Sequence, residues 1–64
     1  MDKKEYLGLL QVASEQVPCG VYAIEKGNKA ELRYDKASSV GKVKEMTRNW
    51  KRQGYKVYAN RGSS

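Results

Sequence analysis

The hydrophobic pattern of this chain changes at Pro18, and that change constrains the fold more than any other feature. Before it, apolar residues recur at helical spacing, and Asp2 with Glu5 three residues later forms a capping-box pattern. Pro18 ends the helix because the residue before a proline is pushed out of the helical conformation. From Gly20 onward, apolar and polar residues alternate as in a strand. We therefore predict a first helix over residues 3–16, followed by strands.

The remaining elements follow from turn residues, helix caps and a second helical period. A serine cap precedes the second helix, and a glycine stands where that helix should end. The predicted elements are strands over residues 20–26, 29–35 and 55–60, a helix over residues 39–53 and a frayed tail over residues 61–64.

The turn at Gly27 and Asn28 allows two strand registers. A two-residue loop would pair Tyr22 with Arg33, whereas a three-residue loop with a bulge would pair Tyr22 with Leu32. The second register gathers the larger apolar side chains on one face, and burying two of them is worth roughly 3–5 kcal/mol. A preferred turn type is a much smaller effect, so we predict the three-residue loop.

The order helix, strand, strand, helix, strand predicts a single small α+β domain. A right-handed crossover through the second helix makes the second and third strands parallel and leaves the first strand between them. The predicted sheet order is therefore 2-1-3. We expect the second helix to cover the face that carries Tyr22, Ile24, Leu32 and Val57. The first helix packs either beside it or on the opposite face, and the sequence leaves that choice open.

Length and composition argue against an enzyme. A chain of 64 residues has little room for a deep pocket, because most of its apolar residues are needed for its own core. It has no histidine and one cysteine, Cys19, whereas a structural zinc site needs about four such ligands. The glycines match no phosphate-binding loop. We expect a non-enzymatic protein with no catalytic residues, no metal and no cofactor.

The same features predict where the protein works. A single cysteine cannot form a disulfide within the chain, which favours a reducing compartment. No apolar run approaches the ~18 residues of a membrane span, and the charged N-terminus lacks the apolar region of a signal peptide. We expect a cytoplasmic protein that has no membrane partner.

Positive charge is concentrated in the last third of the chain. The net charge is +6, and residues 41–64 carry seven Lys and Arg residues against Glu45 alone. Basic residues of the second helix recur from Lys44 at i+4, i+7 and i+8, within an arc of roughly 100°. A solubilising helix face usually mixes both signs, so this arc indicates a binding surface. The candidate binding residues are Lys44, Arg48, Lys51, Arg52, Lys56, Tyr58, Arg33 and Arg61.

Two kinds of partner suit such a surface. The first is nucleic acid, bound mainly through its phosphates, with Tyr58 and Arg33 projecting beside Lys56 from one sheet face to stack on bases. The second is an acidic protein surface, which would make the chain an interaction module or inhibitor. Small basic accessory proteins of phages act in this way on host nucleic-acid-processing proteins. Two alternatives involve no binding function. The basic arc is then an ordinary solvated helix face, and Tyr58 is covered by the first helix. A homodimer could form through an exposed edge strand.

Overall fold

The computed structural model describes residues 2–62 of the chain. Its elements are α1 (Lys3–Gln16), β1 (Cys19–Lys26), β2 (Lys29–Lys36), α2 (Val40–Gln53) and β3 (Tyr55–Arg61). The strands form one antiparallel sheet in the order β2-β1-β3. This confirms the predicted α+β fold and the predicted sheet order. Because β2 and β3 both run antiparallel to β1, they are parallel to each other at the two edges of the sheet.

The helix ends are set by local capping. The carboxylate of Asp2 accepts a hydrogen bond from the backbone N–H of Lys4 at the start of α1 (3.3 Å). The hydroxyl of Ser39 accepts one from the backbone N–H of Lys42 at the start of α2 (3.3 Å). Helix α2 ends at Gly54, whose φ of 98° lies in the left-handed region that favours glycine.

The hairpin register that the sequence predicted is wrong. Lys26 pairs with Lys29, so the turn is the two-residue loop that the prediction rejected. Beyond the turn a β-bulge shifts the pairing by one residue, and Tyr22 then lies opposite Tyr34. Neither of the two registers considered for the hairpin therefore describes the whole strand pair.

The error came from assuming that Leu32 has to be buried. Strand β2 is an edge strand, and the Leu32 side chain remains 49% exposed in the folded chain. The free energy expected from burying it is therefore largely absent, and the turn geometry decides the register near the loop. The bulge then brings Arg33 opposite Ala23.

Helix α2 covers the sheet face that carries Val21 and Ala23 of the central strand. These two residues pack with Val43, Trp50 and Tyr55 into one buried cluster. The β1 side chains beneath α2 are small, and that leaves room for the Trp50 ring, which is only 3% exposed. This cluster joins α2, β1 and β3.

The prediction of which residues lie beneath α2 is correct for Val57 and wrong for Tyr22 and Leu32. Val57 is partly buried against the α2 cluster. Tyr22 stacks on Tyr58 on the other face, and Leu32 lies at the β2 edge. Ile24 is buried, but outside this cluster. The prediction favoured the larger β1 side chains, whereas the bulky group beneath α2 comes from the helix.

Helix α1 lies on the opposite face of the sheet. Successive side chains of a strand point to opposite faces, and Tyr58 and Asn60 of β3 both contact α1. The hydroxyl of Tyr58 is hydrogen bonded to that of Tyr6, and the Asn60 amide donates to the carbonyls of Ser14 (3.1 Å) and Val17 (2.9 Å). The choice that the sequence left open is thus resolved by these polar contacts.

The predicted tail begins later than expected. Arg61 is the last residue of β3 and pairs with Cys19, so it belongs to the sheet and not to a frayed end. The rest of the predicted tail includes residues 63–64, which lie outside the described residues.

Two glycines lead to opposite predictions for substitution by alanine. A Cβ atom on Gly20 would overlap the carbonyl oxygen of Asp35 across the β1–β2 pair, so the strands would have to shift apart. A Cβ atom on Gly8 would meet no atom within 4 Å, and alanine is the better helix former. We expect Gly20→Ala to lower the free energy of unfolding by about 1–3 kcal/mol and Gly8→Ala to raise it by about 0.5–1 kcal/mol.

Urea unfolding followed by circular dichroism at low protein concentration measures both changes. Each variant serves as the control for the other, because both replace glycine by alanine within a regular element. A Gly20→Ala variant as stable as the wild type would contradict the packing described at Gly20. A destabilised Gly8→Ala variant would contradict the open surface described at Gly8.

Candidate polyanion-binding surface

The basic flank of α2 extends from the β3 side of the helix to its outer surface. At about 100° per residue, Lys44, Arg48 and Lys51 lie on the side of the helix away from Gln53. Gln53 accepts a hydrogen bond from Arg33 of β2 (3.4 Å), so its side of the helix faces the β2 edge. Lys44 and Lys51 therefore face the β3 edge, whereas Arg48 and Arg52, about 160° from the buried Trp50, point away from the sheet. We call Lys44, Arg48, Lys51 and Arg52 the basic flank.

The side chains of the basic flank are exposed and carry no acidic partner within the described part of the chain. The ion pairs among residues 2–62 join Lys42 to Glu45 (3.5 Å) and Arg33 to Asp35 (3.8 Å). Neither pair includes a residue of the flank. The four charges are therefore available to an external anion.

Two lysines of the hairpin turn extend this positive charge. The backbone N–H of Gly27 donates to the carbonyl of Gly54 (2.9 Å), which holds the turn against the C-terminal end of α2. Lys26 and Lys29 thereby lie at the same end of the molecule as Lys51. A groove of about 670 Å³ runs between the turn and the helix end. Its lining residues are Lys26, Gly27, Lys29, Ala30, Glu31, Gln53 and Gly54.

The sequence interpretation missed these two lysines, although the predicted sheet order contained the information. In the order 2-1-3, the start of β3 lies beside the end of β1 when these strands are antiparallel. Only Gly54 separates α2 from β3. The β1–β2 turn must therefore lie near the C-terminal end of α2.

Arg33 packs over the aromatic rings of the core, with 37% of its side chain still exposed. Its guanidinium carbon lies 4.3 Å from the Trp50 ring centre and 5.1 Å from that of Tyr55. It also donates to Gln53 and lies 3.8 Å from the carboxylate of Asp35. Arg33 therefore closes the β2 side of the core beneath α2.

The predicted grouping of Arg33 with Lys56 and Tyr58 on one sheet face is wrong. Arg33 lies on the α2 face, whereas Tyr58 contacts Tyr6 of α1 on the other face. The grouping failed because the prediction laid α2 on the face that carries Tyr22 and Leu32. The helix covers the Val21 and Ala23 face instead, and Arg33 lies opposite Ala23 beneath it.

Tyr58 is covered by α1 and does not form an open stacking platform. Its ring lies 5.7 Å from that of Tyr22, with the two planes 20° apart. Its hydroxyl is hydrogen bonded to Tyr6, and the Lys56 amine lies 5.5 Å from the Tyr6 ring centre. The structure therefore agrees with the alternative in which the first helix covers Tyr58.

Contact with the tyrosines shifts two pKa values upward. A hydrogen bond with Tyr6 raises the pKa of Lys56, and the electrostatic influence of Tyr58 acts in the same direction. A hydrogen bond with Tyr6, with burial second, raises the pKa of Tyr58. Lys56 therefore keeps its positive charge through the neutral range and beyond it.

Arg61 lies at the far end of β3 from Lys56. Five residues of strand separate their Cα atoms by roughly 17 Å. Because the chain reverses at Gly54, α2 and β3 run in opposite directions, so Arg61 is at the end of α2 where Lys44 lies. The predicted site residues on α2 and β3 thus do not form a single cluster, and Lys56 and Tyr58 lie on the α1 face of β3, away from α2.

No protein-family model, curated protein or solved structure matches this chain. Among residues 2–62, no three acidic or cysteine side chains come together in a group that could hold a metal ion. None of the helices in this range is long and apolar enough to cross a membrane. Within the described residues, the exposed cations of the basic flank are therefore the feature that points to a function.

The tyrosine contacts predict a late ionisation of Tyr58. The pKa of Tyr58 is raised above its ordinary value of 10.0 in the folded chain. The contribution of neutral Tyr58 to the free energy of unfolding is therefore complete below about pH 10 and is lost as pH rises through the higher folded pKa. We expect Tyr6→Phe to lower the pKa of Tyr58 towards its ordinary value, because it removes the hydrogen bond. Ring resonances of Tyr58 followed by NMR across alkaline pH measure this pKa. Tyr34→Phe is the control, and an equal shift there would refute the assignment to Tyr6.

The contact of Arg33 with Trp50 predicts that two arginine variants differ in melting temperature. Arg33→Gln removes a cation from above Trp50, a contact worth about 0.5–1 kcal/mol. In a domain of this size, that loss lowers the melting temperature by several degrees. Arg48→Gln removes the same charge from an exposed site and should leave the melting temperature unchanged. Thermal unfolding of the two variants tests this, and equal melting temperatures would exclude a stabilising contact at Trp50.

Proposed function

We propose that this protein is a non-enzymatic nucleic-acid-binding protein that contacts the phosphate backbone through its basic flank. The observation that carries the proposal is the set of exposed cations on one side of α2, free of acidic partners within residues 2–62. A one-sided positive field attracts polyanions and raises their rate of association. Arg61 extends the surface on the α2 side of β3, and Lys56 adds a cation on the α1 side of the same edge strand. Lys26 and Lys29 extend the surface at the hairpin turn.

The dimensions of the flank suit a nucleic-acid strand. From Lys44 to Arg52 the helix rises about 12 Å, at 1.5 Å per residue. Phosphates of one strand of B-form DNA are about 3.4 Å apart along its axis. The length of the flank therefore corresponds to three or four phosphates, which is close to the number of its cations.

The contacts available predict binding with little sequence preference. Base recognition needs side chains that reach base edges or stack on bases. Tyr58 is covered by α1, and Arg33 is held above Trp50. The remaining candidate residues are lysines and arginines, which suit phosphates. Binding should therefore be mainly electrostatic and sensitive to salt.

A second candidate is a protein-interaction module or inhibitor, of the kind found among phage accessory proteins, that docks on an acidic protein surface. The observation that favours it is the groove between the hairpin turn and the end of α2. Its lining mixes Lys26 and Lys29 with Glu31 and Gln53, and such mixed polar surfaces are common at the rim of protein interfaces. In either case we propose that the protein acts in the cytoplasm.

The basic flank predicts the salt dependence of binding. Neutralising five phosphates, one each by the flank residues and Lys56, gives a slope of log affinity against log salt of about −4 to −5 on duplex DNA. Replacing Lys44 and Arg48 by glutamine should reduce the magnitude of the slope by about 1.8, at 0.9 per phosphate. Fluorescence anisotropy with a labelled duplex, over a series of salt concentrations, measures both slopes.

The matched control replaces Lys3 and Lys4 of α1 by glutamine, which removes the same charge from exposed positions outside the flank. This variant should keep the wild-type slope, because only charges that contact phosphates release counterions. An equal loss in both variants would mean that net charge, and not the flank, drives binding. Absence of any binding at low salt would reject the proposal.

Nuclease treatment separates the two candidates. The wild-type protein and the Lys44 and Arg48 double variant are each used to capture partners from nuclease-treated cell extract. Loss of all partners on nuclease treatment supports nucleic-acid binding. A stoichiometric protein partner that survives nuclease and is lost in the double variant favours the protein-interaction module.

A further inference from the structure

Large apolar side chains remain exposed along the β2 edge of the molecule. Leu32 and Tyr34 of β2 are 49% and 43% exposed, and Val12 of α1 is 51% exposed. Because Ser14 contacts Asn60 of β3, the flank of α1 that carries Val12, about 160° away, faces the β2 edge. We call Leu9, Val12, Leu32 and Tyr34 the β2-edge patch.

Gly8 gives this flank of α1 an open surface. It stands in the middle of the helix, where glycine is unfavourable, and a Cβ atom there would meet no atom within 4 Å. Gly8 lines a shallow groove of about 540 Å³ together with Glu5, Leu9 and Val12. Packing within one copy of the chain therefore does not explain the glycine, whereas a second helix could approach closely at this position.

The charges of β2 are complementary to those of a second β2 strand. Consider two copies pairing antiparallel about a two-fold axis at Tyr34. Arg33 of each copy, which already lies 3.8 Å from its own Asp35, then also lies opposite Asp35 of the other, and opposite charges across strands are stabilising. An axis one residue earlier would place Arg33 opposite Arg33. The segment 33–36 pairs regularly with β1, beyond the bulge, so its outer edge is regular enough to accept a strand.

We propose that a second copy of this chain docks on the β2-edge patch. The two sheets join into one six-stranded sheet in the order β3-β1-β2-β2-β1-β3. The two α1 helices then meet on one face near Gly8, and Leu9, Val12 and Tyr34 of both copies become buried. This pairing also satisfies the free backbone groups of the edge strand.

The charge distribution favours this edge over the other one. The basic flanks lie beside β3, at the outer edges of the joined sheet. With strands about 4.8 Å apart, the two β3 strands would be roughly 24 Å from each other, which is well beyond the Debye length of about 8 Å at physiological salt. Pairing through β3 would instead bring the two flanks together. The proposal does not depend on nucleic-acid binding.

Sedimentation equilibrium of nuclease-treated protein tests the proposal. The wild-type chain should show a concentration-dependent equilibrium between monomer and dimer. Val12→Glu should raise the dissociation constant by about tenfold or more, since 1.4 kcal/mol suffices for a factor of ten. Leu7→Glu is the matched control, because Leu7 is equally exposed (55%) on another side of α1, and its dissociation constant should not change. Circular dichroism confirms that both variants remain folded.

Gly8→Ala provides a test in which the stability of the monomer should rise while the affinity of the dimer falls. It stabilises the isolated helix, yet added methyl groups at the crossing should raise the dissociation constant of the dimer. A protein that remains monomeric over a concentration series reaching the millimolar range would overturn the proposal. A dimer that is insensitive to both Val12→Glu and Gly8→Ala would also overturn it.

Thiol crosslinking identifies the paired strand directly. In a Cys19→Ala background, Tyr34→Cys places two thiols opposite each other, with Cβ atoms about 4.5–5.5 Å apart. A short bifunctional thiol reagent should then give a covalent dimer. Ala59→Cys, exposed on the β3 edge, should give none. Crosslinking at Ala59 and not at Tyr34 would assign the dimer to β3 and reject the proposed interface.

Discussion

The packing of Trp50 against Val21 and Ala23 is the contact on which the rest of the structure depends. It seats α2 over β1 and β3, with Tyr55 at a ring distance of 5.3 Å. Because α2 is an amphipathic helix, the orientation of Trp50 also determines where the other side chains of the helix point. The basic flank faces the β3 edge and the solvent above the sheet as a direct consequence. The same packing creates the aromatic surface on which Arg33 lies.

The cations of this chain fall into two groups according to what they contact. Arg33 lies above Trp50, and the Lys26 amine lies 5.1 Å from the Tyr55 ring centre. These residues stabilise the domain through aromatic contacts and still contribute to its positive field. The basic flank makes no such contact among residues 2–62. A formal net charge does not distinguish the two groups. Lys56, whose amine lies 5.5 Å from the Tyr6 ring centre, belongs to the first group.

The sequence predicted the elements and the sheet order well because these depend on local or topological rules. The capping serine, Gly54 and the two-residue period of the strands act over a few neighbouring residues. The hairpin register failed for a physical reason: it was argued from the burial of Leu32, and an edge strand buries little on one side. A separate error, the placing of α2 on the Tyr22 face of β1, moved Arg33 away from the helix. Tyr58 is not an open platform because α1 packs over it.

The sequence by itself determined the helices, the strand order and the concentration of positive charge near the C-terminus, because periodicity, caps and charge are properties of neighbouring residues. Only the tertiary structure decided which cations are free, which face α1 covers and which edge exposes apolar side chains. Those outcomes rest on contacts between residues far apart in the chain, such as Arg33 with Trp50 and Tyr6 with Tyr58. Such contacts form only after the sheet register and the helix orientations have been set, so the pattern of nearby residues does not contain them.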